Sequence, residues 1–293
     1  MKTNYQNFLI TGVSSGFGRE LALKAAEAGY TVIGTLRHAE QIEDYNQLVP
    51  GKTFGVLMDV TKYDQVDAAL QTIAAEYGDI DVLVNNAGYG LTGLVEEVSM
   101  DELRAQMETN FFGLINLTKK VLPGMRKRQR GHIVQITSIG GIISYPQVGA
   151  YNASKYAVEG ISEALAAEVA PFGVNVTIVE PSGFRTEWAG DSMHFAEAEI
   201  TDYRGKLDRT RQKMRDINGK QPGNPELAAR AMLLAIEADR PPLRLPLGAA
   251  AVENVYKKFD KVERDVEAWK EVAINTDDGG DTSLLRTPAT ALN

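Results

Sequence analysis

Two side chains in one stretch of the sequence have the types and spacing of a proton-moving pair. Tyr151 and Lys155 stand four residues apart in 151–169, a segment whose apolar spacing predicts a helix, and side chains at i and i+4 share a helix face. A free phenol ionises at a pKa of about 10, too high for a base at neutrality, and a nearby cation favours the phenolate. The pair therefore reads as an acid/base group with its own tuning charge. A second cluster, Thr11-Gly12-Val13-Ser14-Ser15-Gly16-Phe17-Gly18, joins an apolar strand to a helix. Glycines there let the backbone turn sharply and approach a pyrophosphate, whose charge the helix N-terminus meets. Each cluster also has an ordinary structural reading: a half-buried aromatic beside a solvated lysine, and a plain glycine-rich turn.

The elements that must position these groups alternate along the first half of the chain. NFLITG, TVIGTL, TFGVLMDV and IDVLVNNAG read as strands, with helices over 17–28, 39–48 and 62–77 between them. Short, almost wholly apolar strands separated by amphipathic stretches predict a parallel sheet buried on both faces. One long helix is expected over 100–128, bent near Pro123 and Gly124, followed by the strand GHIVQITS, the helix with Tyr151 and Lys155, and the strand GVNVTIVEP. The alternation then fails. Residues 183–223 are polar and only weakly helical, which marks an insertion of the kind that serves as a lid. A helix over 224–239, an edge strand LRLPLG limited by Pro246, and a helix over 249–274 complete the pattern. The expected architecture is α/β, a Rossmann-like doubly wound parallel sheet of about seven strands with helices on both faces. It forms a single domain over 1–275, with a mobile tail at 276–293.

Bulk properties narrow the function classes. The 293 residues are 44% hydrophobic and 24% charged, values of an ordinary globular protein. A net charge of -8 disfavours nucleic acid or anionic membrane as the main partner, and the basic run Arg126, Lys127, Arg128, Arg130 fits the end of a helix. With no cysteine there is no thiolate metal site and no thiol nucleophile. His38, His132 and His194 lack metal-ligand spacing and read as solvated or incidental. With only a short apolar run, Phe8 to Ile10, near the N-terminus, neither a signal peptide nor a spanning helix fits, so a soluble cytoplasmic protein is expected.

Four further landmarks follow in order: Asn85-Asn86-Ala87-Gly88 closing strand four, Asn110 in the long helix, Ser138 ending strand five, and Tyr151-Asn152-Ala153-Ser154-Lys155. With the glycine turn, this set resembles the short-chain dehydrogenase/reductase family over residues 5 to 190. TLR after strand two and EPSGFRT after strand six are similar to its NADP-preferring retinol and steroid dehydrogenase-like members. The family usually has Pro-Gly after strand six, whereas this chain has Pro181-Ser182-Gly183.

The resemblance implies an NAD(P)-dependent oxidoreductase moving a hydride between nicotinamide and an alcohol or carbonyl. Tyr151 would be the acid/base, and Lys155 would lower its pKa and hold the nicotinamide ribose. Ser138 would bind the substrate oxygen and stabilise developing charge, and Asn110 would complete a proton relay. Gly12, Ser14, Ser15, Gly16, Phe17, Gly18, Asn86, Ala87, Gly88, Pro181, Gly183 and Thr186 would line the cofactor. Asp59 and Val60 would flank its adenine, although an Asp there also serves as a helix cap. Arg37 stands where NAD enzymes of this architecture place an acid, so NADP(H) is expected ahead of NAD(H). An apolar substrate is expected from Ile139, Ile142, Ile143, Tyr145, Phe184, Trp188 and Phe195, and a homo-oligomer from the apolar excess of the helices holding Asn110 and Tyr151. A non-catalytic dinucleotide-binding regulator is the alternative. The intact Asn110, Ser138, Tyr151 and Lys155 weigh against it.

Overall fold

A computed structural model describes residues 5–190, 192–197 and 200–283. Most of the side chains of β1 (Asn7–Thr11) are buried, with Phe8 and Ile10 on one face and Leu9 on the other. That alternation is what a strand imposes. The chain continues through α1 (Gly16–Glu27), β2 (Thr31–Leu36), α2 (Ile42–Asn46), β3 (Thr53–Leu57), α3 (Tyr63–Glu76), β4 (Val82–Asn85) and β5 (Gly90–Thr92). Then come α4 (Met100–Met107), α5 (Leu114–Arg128), β6 (Gly131–Ile136), α6 (Gly149–Val169), β7 (Val174–Pro181) and β8 (Met193–Phe195). The last elements are α7 (Arg204–Ile217), α8 (Pro225–Glu237), β9 (Arg244–Leu247) and α9 (Ala249–Ile274).

Seven strands form one parallel sheet in the order β3-β2-β1-β4-β6-β7-β9. On one face α1 and α8 pack Leu21, Ala25, Ala228 and Met232 against Phe8 and Val134. On the other, α3, α5 and α6 pack Ile73, Leu117 and Leu165 against Leu9 and Ile133. The strand order reverses direction between β1 and β4, and in an open parallel sheet the crevice beyond the strand ends at such a point takes the ligand. β9 is one of the two edge strands, where Pro246 with its missing N–H is tolerated.

Four departures from the sequence pattern matter. The expected long helix over 100–128 is interrupted at Glu108–Gly113 by a wider π-helical turn, while α5 runs on through Pro123. Irregularity falls where Asn110 must turn inward, not at the proline. The helix expected over 39–48 shortens to a 3-10 turn, Ala39–Gln41, followed by α2. The insertion holds a 14-residue helix, α7, and the short strand β8, which pairs in parallel with β5. Three-residue strands with little apolar alternation carry no periodic signal. His132 is not solvated but fully buried, with its Nε2 2.9 Å from Thr177 Oγ1. In the basic run at the end of α5, Arg128 pairs with Asp79 at 2.7 Å and Arg130 with Asp81 at 2.8 Å. Of the expected tail, 276–283 forms turns and 284–293 lies outside the described residues, as do residues 191, 198 and 199 of the expected lid.

Candidate active site

The glycine turn between β1 and α1 is pressed against the end of β4. Gly12 has φ 69°, and a Cβ there would lie 3.1 Å from the Ala87 Cα. At Gly18 a Cβ would come within 2.4 Å of the Gly12 carbonyl oxygen, so neither position admits a side chain. Asn86 Nδ2 donates to the carbonyls of Thr11 and Gly12 at 2.8 and 2.9 Å, and the Thr11 hydroxyl accepts from the backbone N–H groups of Asn86 and Ala87, each at 2.9 Å. Asn86 is thus the brace of the turn. Ser15 stands at the N-cap of α1 with its side chain making no capping hydrogen bond. Ser14, Ser15, Gly16 and Phe17 line the cleft, and the Phe17 ring packs edge-on to Phe184 at 5.1 Å.

At the rim, Arg37 follows β2, is exposed, and has no hydrogen-bond or ion-pair acceptor among the described residues. Asp59 Oδ1 accepts from the Thr61 N–H and hydroxyl at 2.9 and 2.8 Å, while the N-cap of α3 is Lys62, so Asp59 closes a local turn and does not cap the helix. Val60 packs against Gly113, where a Cβ would meet its Cγ2 at 2.9 Å. Both residues border the same cleft as Arg37.

Ser138, Tyr151 and Lys155 converge where β6 ends and α6 begins. Ser138 Oγ accepts from the Gly140 N–H at 3.0 Å and favours the ionised form of Tyr151. Tyr151, the third residue of α6, is buried. Lys155 Nζ donates to the Ile136 carbonyl at 2.9 Å and lies 5.8 Å from the centroid of the Tyr151 ring. Burial pushes the Tyr151 phenol up to about 12, against the opposing pull of Ser138 and Trp188. Burial likewise pushes Lys155 down to about 8, against the negative charge of Glu159. Desolvation is the largest influence on the phenol, and the ammonium stands over its ring.

Asn110 is 1% exposed in the π-helical turn, a feature common at functional sites. Its Oδ1 accepts from the Tyr89 N–H at 3.1 Å, and its Nδ2 donates to the Tyr89 carbonyl and to Ser154 Oγ at 3.0 and 3.1 Å. A Cβ at Gly88 would lie 3.0 Å from Asn110 Oδ1 and 3.7 Å from Lys155 Nζ, so Gly88 lets these two approach. Tyr89 and Ser154, unassigned in the sequence, are thus its partners. Past Pro181, Gly183 has no left-handed φ and ample room, a Cβ there meeting only Gln221 at 3.8 Å. The displaced glycine is therefore no steric requirement, and Thr186 still sits over Gly16, 3.5 Å from where a Cβ would be.

The glycine turn, Arg37, Asp59, Val60, Ser138, Tyr151, Lys155 and Thr186 border one cleft of about 1150 Å³, while Gly18 and Asn110 lie behind its wall. Ile139, Tyr145, Phe184, Trp188 and Phe195 line it, as expected. Ile142 and Ile143 do not. They pack with Ala251 and Val255 beneath α9. Among the described residues no cluster of His, Cys, Asp or Glu could hold a metal ion, and no helix is long and apolar enough to cross a membrane.

Residues 6–196 match the family model described as short chain dehydrogenase. The chain belongs to the short-chain dehydrogenase family. This makes it an oxidoreductase acting on alcohols or carbonyls, and its relatives agree. The 3-ketodihydrosphingosine reductase of Bacteroides thetaiotaomicron is 40% identical over 83% of this chain and 88% of its own. Retinol dehydrogenase 8 of Homo sapiens is 34% identical over 80% of this chain and 79% of its own. A short-chain dehydrogenase from Streptomyces avermitilis superposes with a TM-score of 0.86 at 41% identity, covering 94% of this chain and 99% of that one. A family member from Burkholderia phymatum in complex with NAD gives 0.79 at 25% identity over 90% and 96%. ElxO with NADP bound gives 0.69 at 26% over 85% and 99%. A nicotinamide dinucleotide is therefore the cofactor class of this fold.

Proposed function

We propose that the protein is an NADP(H)-dependent oxidoreductase that interconverts an apolar secondary alcohol or aldehyde-derived alcohol with its carbonyl. One observation carries the reading: a single cleft is bordered at one end by the side-chain-free glycine turn and Arg37, and at the other by Ser138, Tyr151 and Lys155. The residues fit the cofactor. A side chain at Gly12 or Gly18 would fill the cradle, Ser14, Ser15 and Gly16 face a pyrophosphate at the start of α1, and Arg37 suits a 2′-phosphate.

The nicotinamide, when bound, supplies or accepts the hydride. Tyr151 gives a proton to the substrate oxygen in reduction and takes it back in oxidation. Ser138 donates to that oxygen as charge develops. Lys155 holds the nicotinamide ribose, and Asn110 fixes the backbone beside it. The segment 183–223 is the substrate lid, since Phe184, Trp188 and Phe195 face the cleft. The apolar lining and the ketone named for the Bacteroides relative favour a long-chain ketone. The exposed Phe112 and Ile161, beside Asn110 and on α6, fit a homodimer built on these helices, and light scattering tests it. The cysteine-free sequence suits a reducing cytoplasm.

The deciding experiment follows NADPH oxidation across long-chain ketones, aldehydes, quinones, steroids and retinoids. Turnover of an apolar carbonyl is expected. Tight NADPH binding with no turnover on any of them would favour a cofactor-binding regulator instead.

A further inference from the structure

The indole N–H of Trp188 is buried beside Tyr151 and has no hydrogen-bond acceptor among the described residues. A buried indole N–H ordinarily finds a partner. The two rings lie 5.3 Å apart, inclined by 57°. The benzo ring of the indole rests on β5, where a Cβ at Gly90 would come within 3.1 Å of Cζ2, and the Trp188 backbone N–H is 3.4 Å from the Thr186 hydroxyl that accepts from it. Backbone and ring are thus each held in place. The neighbouring ring carries one polar atom, the phenol oxygen, and Trp188 acts alongside Ser138 in favouring its ionised form.

Ser138 cannot serve alone. A hydroxyl has one proton to donate, and in the proposed reaction that proton goes to the substrate oxygen. When a carbonyl is reduced, the Tyr151 O–H bond breaks, a new O–H bond forms on the substrate oxygen, and hydride arrives at the substrate carbon. The negative charge left on Tyr151 Oη then needs a donor that the substrate does not occupy. Lys155 adds a charge through space, 5.8 Å from the ring centroid, while its Nζ donates to the Ile136 carbonyl.

We propose that the Trp188 indole N–H is the donor that stabilises Tyr151 as it becomes a phenolate, which makes Trp188 a positioning residue for proton transfer. This rests on the assignment of Tyr151 as the acid/base. The groups that bear on its ionisation are Ser138 at the end of β6, Trp188 after β7, and Lys155 on α6. Indole is a donor only, so it favours the phenolate without competing for the proton.

Two variants separate the donor from the bulk: Trp188→Phe, and replacement by benzothienylalanine, which keeps the indole's shape and has sulfur where the N–H was. Tyrosinate absorbance after a rapid pH jump, differenced against Tyr151→Phe and read before unfolding, reports ionisation of Tyr151 without any substrate. In both variants it is expected to shift upward by about one pH unit or more, the scale of one hydrogen bond to a charged group. Alcohol oxidation near neutrality is expected to fall about tenfold per unit of that shift and to recover as pH rises, with the Kd of NADPH unchanged within a few-fold. Identical Tyr151 ionisation in parent and both variants overturns the inference. So does a shift confined to Trp188→Phe, which assigns the ring a packing role. Full turnover by Tyr151→Phe would instead strike the functional reading, leaving the titration to report the donor by itself.

Discussion

Lys155 Nζ donates to the carbonyl of Ile136 at 2.9 Å, tying α6 to the last residue of β6, two positions before Ser138. The bond holds an ammonium where water is excluded, and burial lowers its pKa from 10.5 to about 8. Between these values the unfolded chain binds a proton that the folded chain does not, so stability rises with pH across that window. Below pH 8 the buried charge costs up to about 3 kcal/mol. Lys155→Met removes that cost. Its Tm at neutral pH is expected to equal or exceed the parent's, with the difference narrowing as pH is raised from about 8 to 10.5, while NADPH affinity and turnover fall together. Calorimetry across this range, with parallel titrations of NADPH, checks both halves. A Tm clearly below the parent's at neutral pH would mean that the ammonium is structural.

Tyr151→Phe keeps the ring that packs beside Trp188 and deletes only the hydroxyl. Proton transfer by a positioned group contributes typically about 10²–10⁴-fold, so turnover on any carbonyl found by screening is expected to drop by at least that range. The Kd of NADPH is expected to stay within a few-fold. Activity near the parental level in steady-state assays would remove Tyr151 from the mechanism.

The parallel sheet and the meeting of four distant segments were legible because burial on both faces writes itself as apolar runs in β1, β4, β6 and β7, and because glycine positions such as Gly12 tolerate no substitute. The electrostatics were not. Helical spacing places Lys155 on the face of Tyr151, yet it does not say whether the ammonium meets the hydroxyl or the ring, nor how much water is lost. The π-helical turn was equally hidden. Its wider backbone keeps the apolar spacing of a helix, so the pattern pointed to Pro123 when the break lay at Asn110. Trp188 could be read as an apolar wall, but an unpartnered N–H exists only once its neighbours are placed.

Asn110 makes its hydrogen bonds from a fully enclosed position, and their loss has a definite consequence. Asn110→Leu preserves volume but leaves the Tyr89 N–H without its acceptor, whereas the Tyr89 carbonyl keeps the bond from Gln106 Nε2 at 3.0 Å. One orphaned buried donor costs about 1–3 kcal/mol. Urea denaturation is expected to register a loss of that size, and Asn110→Asp, which retains an acceptor toward the Tyr89 N–H, a smaller one. Equal stability of Asn110→Leu and parent would show that this backbone opens to water without penalty.

Arg37 decides between the two dinucleotides. Its guanidinium is exposed at the end of β2 and is committed to no acid among the described residues, so a bound phosphate would not have to displace an existing ion pair. No carboxylate precedes Glu40 on this stretch, and none therefore repels a 2′-phosphate or accepts from the ribose hydroxyls that NAD presents. A charge-assisted pair contributes roughly 1.5–3 kcal/mol, which solvent exposure reduces toward the lower end, so a preference of about tenfold is expected. Titrating NADPH and NADH into the parent and Arg37→Ala checks it. The preference should shrink chiefly through weaker NADPH binding, with NADH affinity nearly constant, and should weaken as salt is raised because the pair is exposed. Tighter binding of NADH than of NADPH by the parent would assign the cofactor the other way, leaving Arg37 a solvated residue at a strand end.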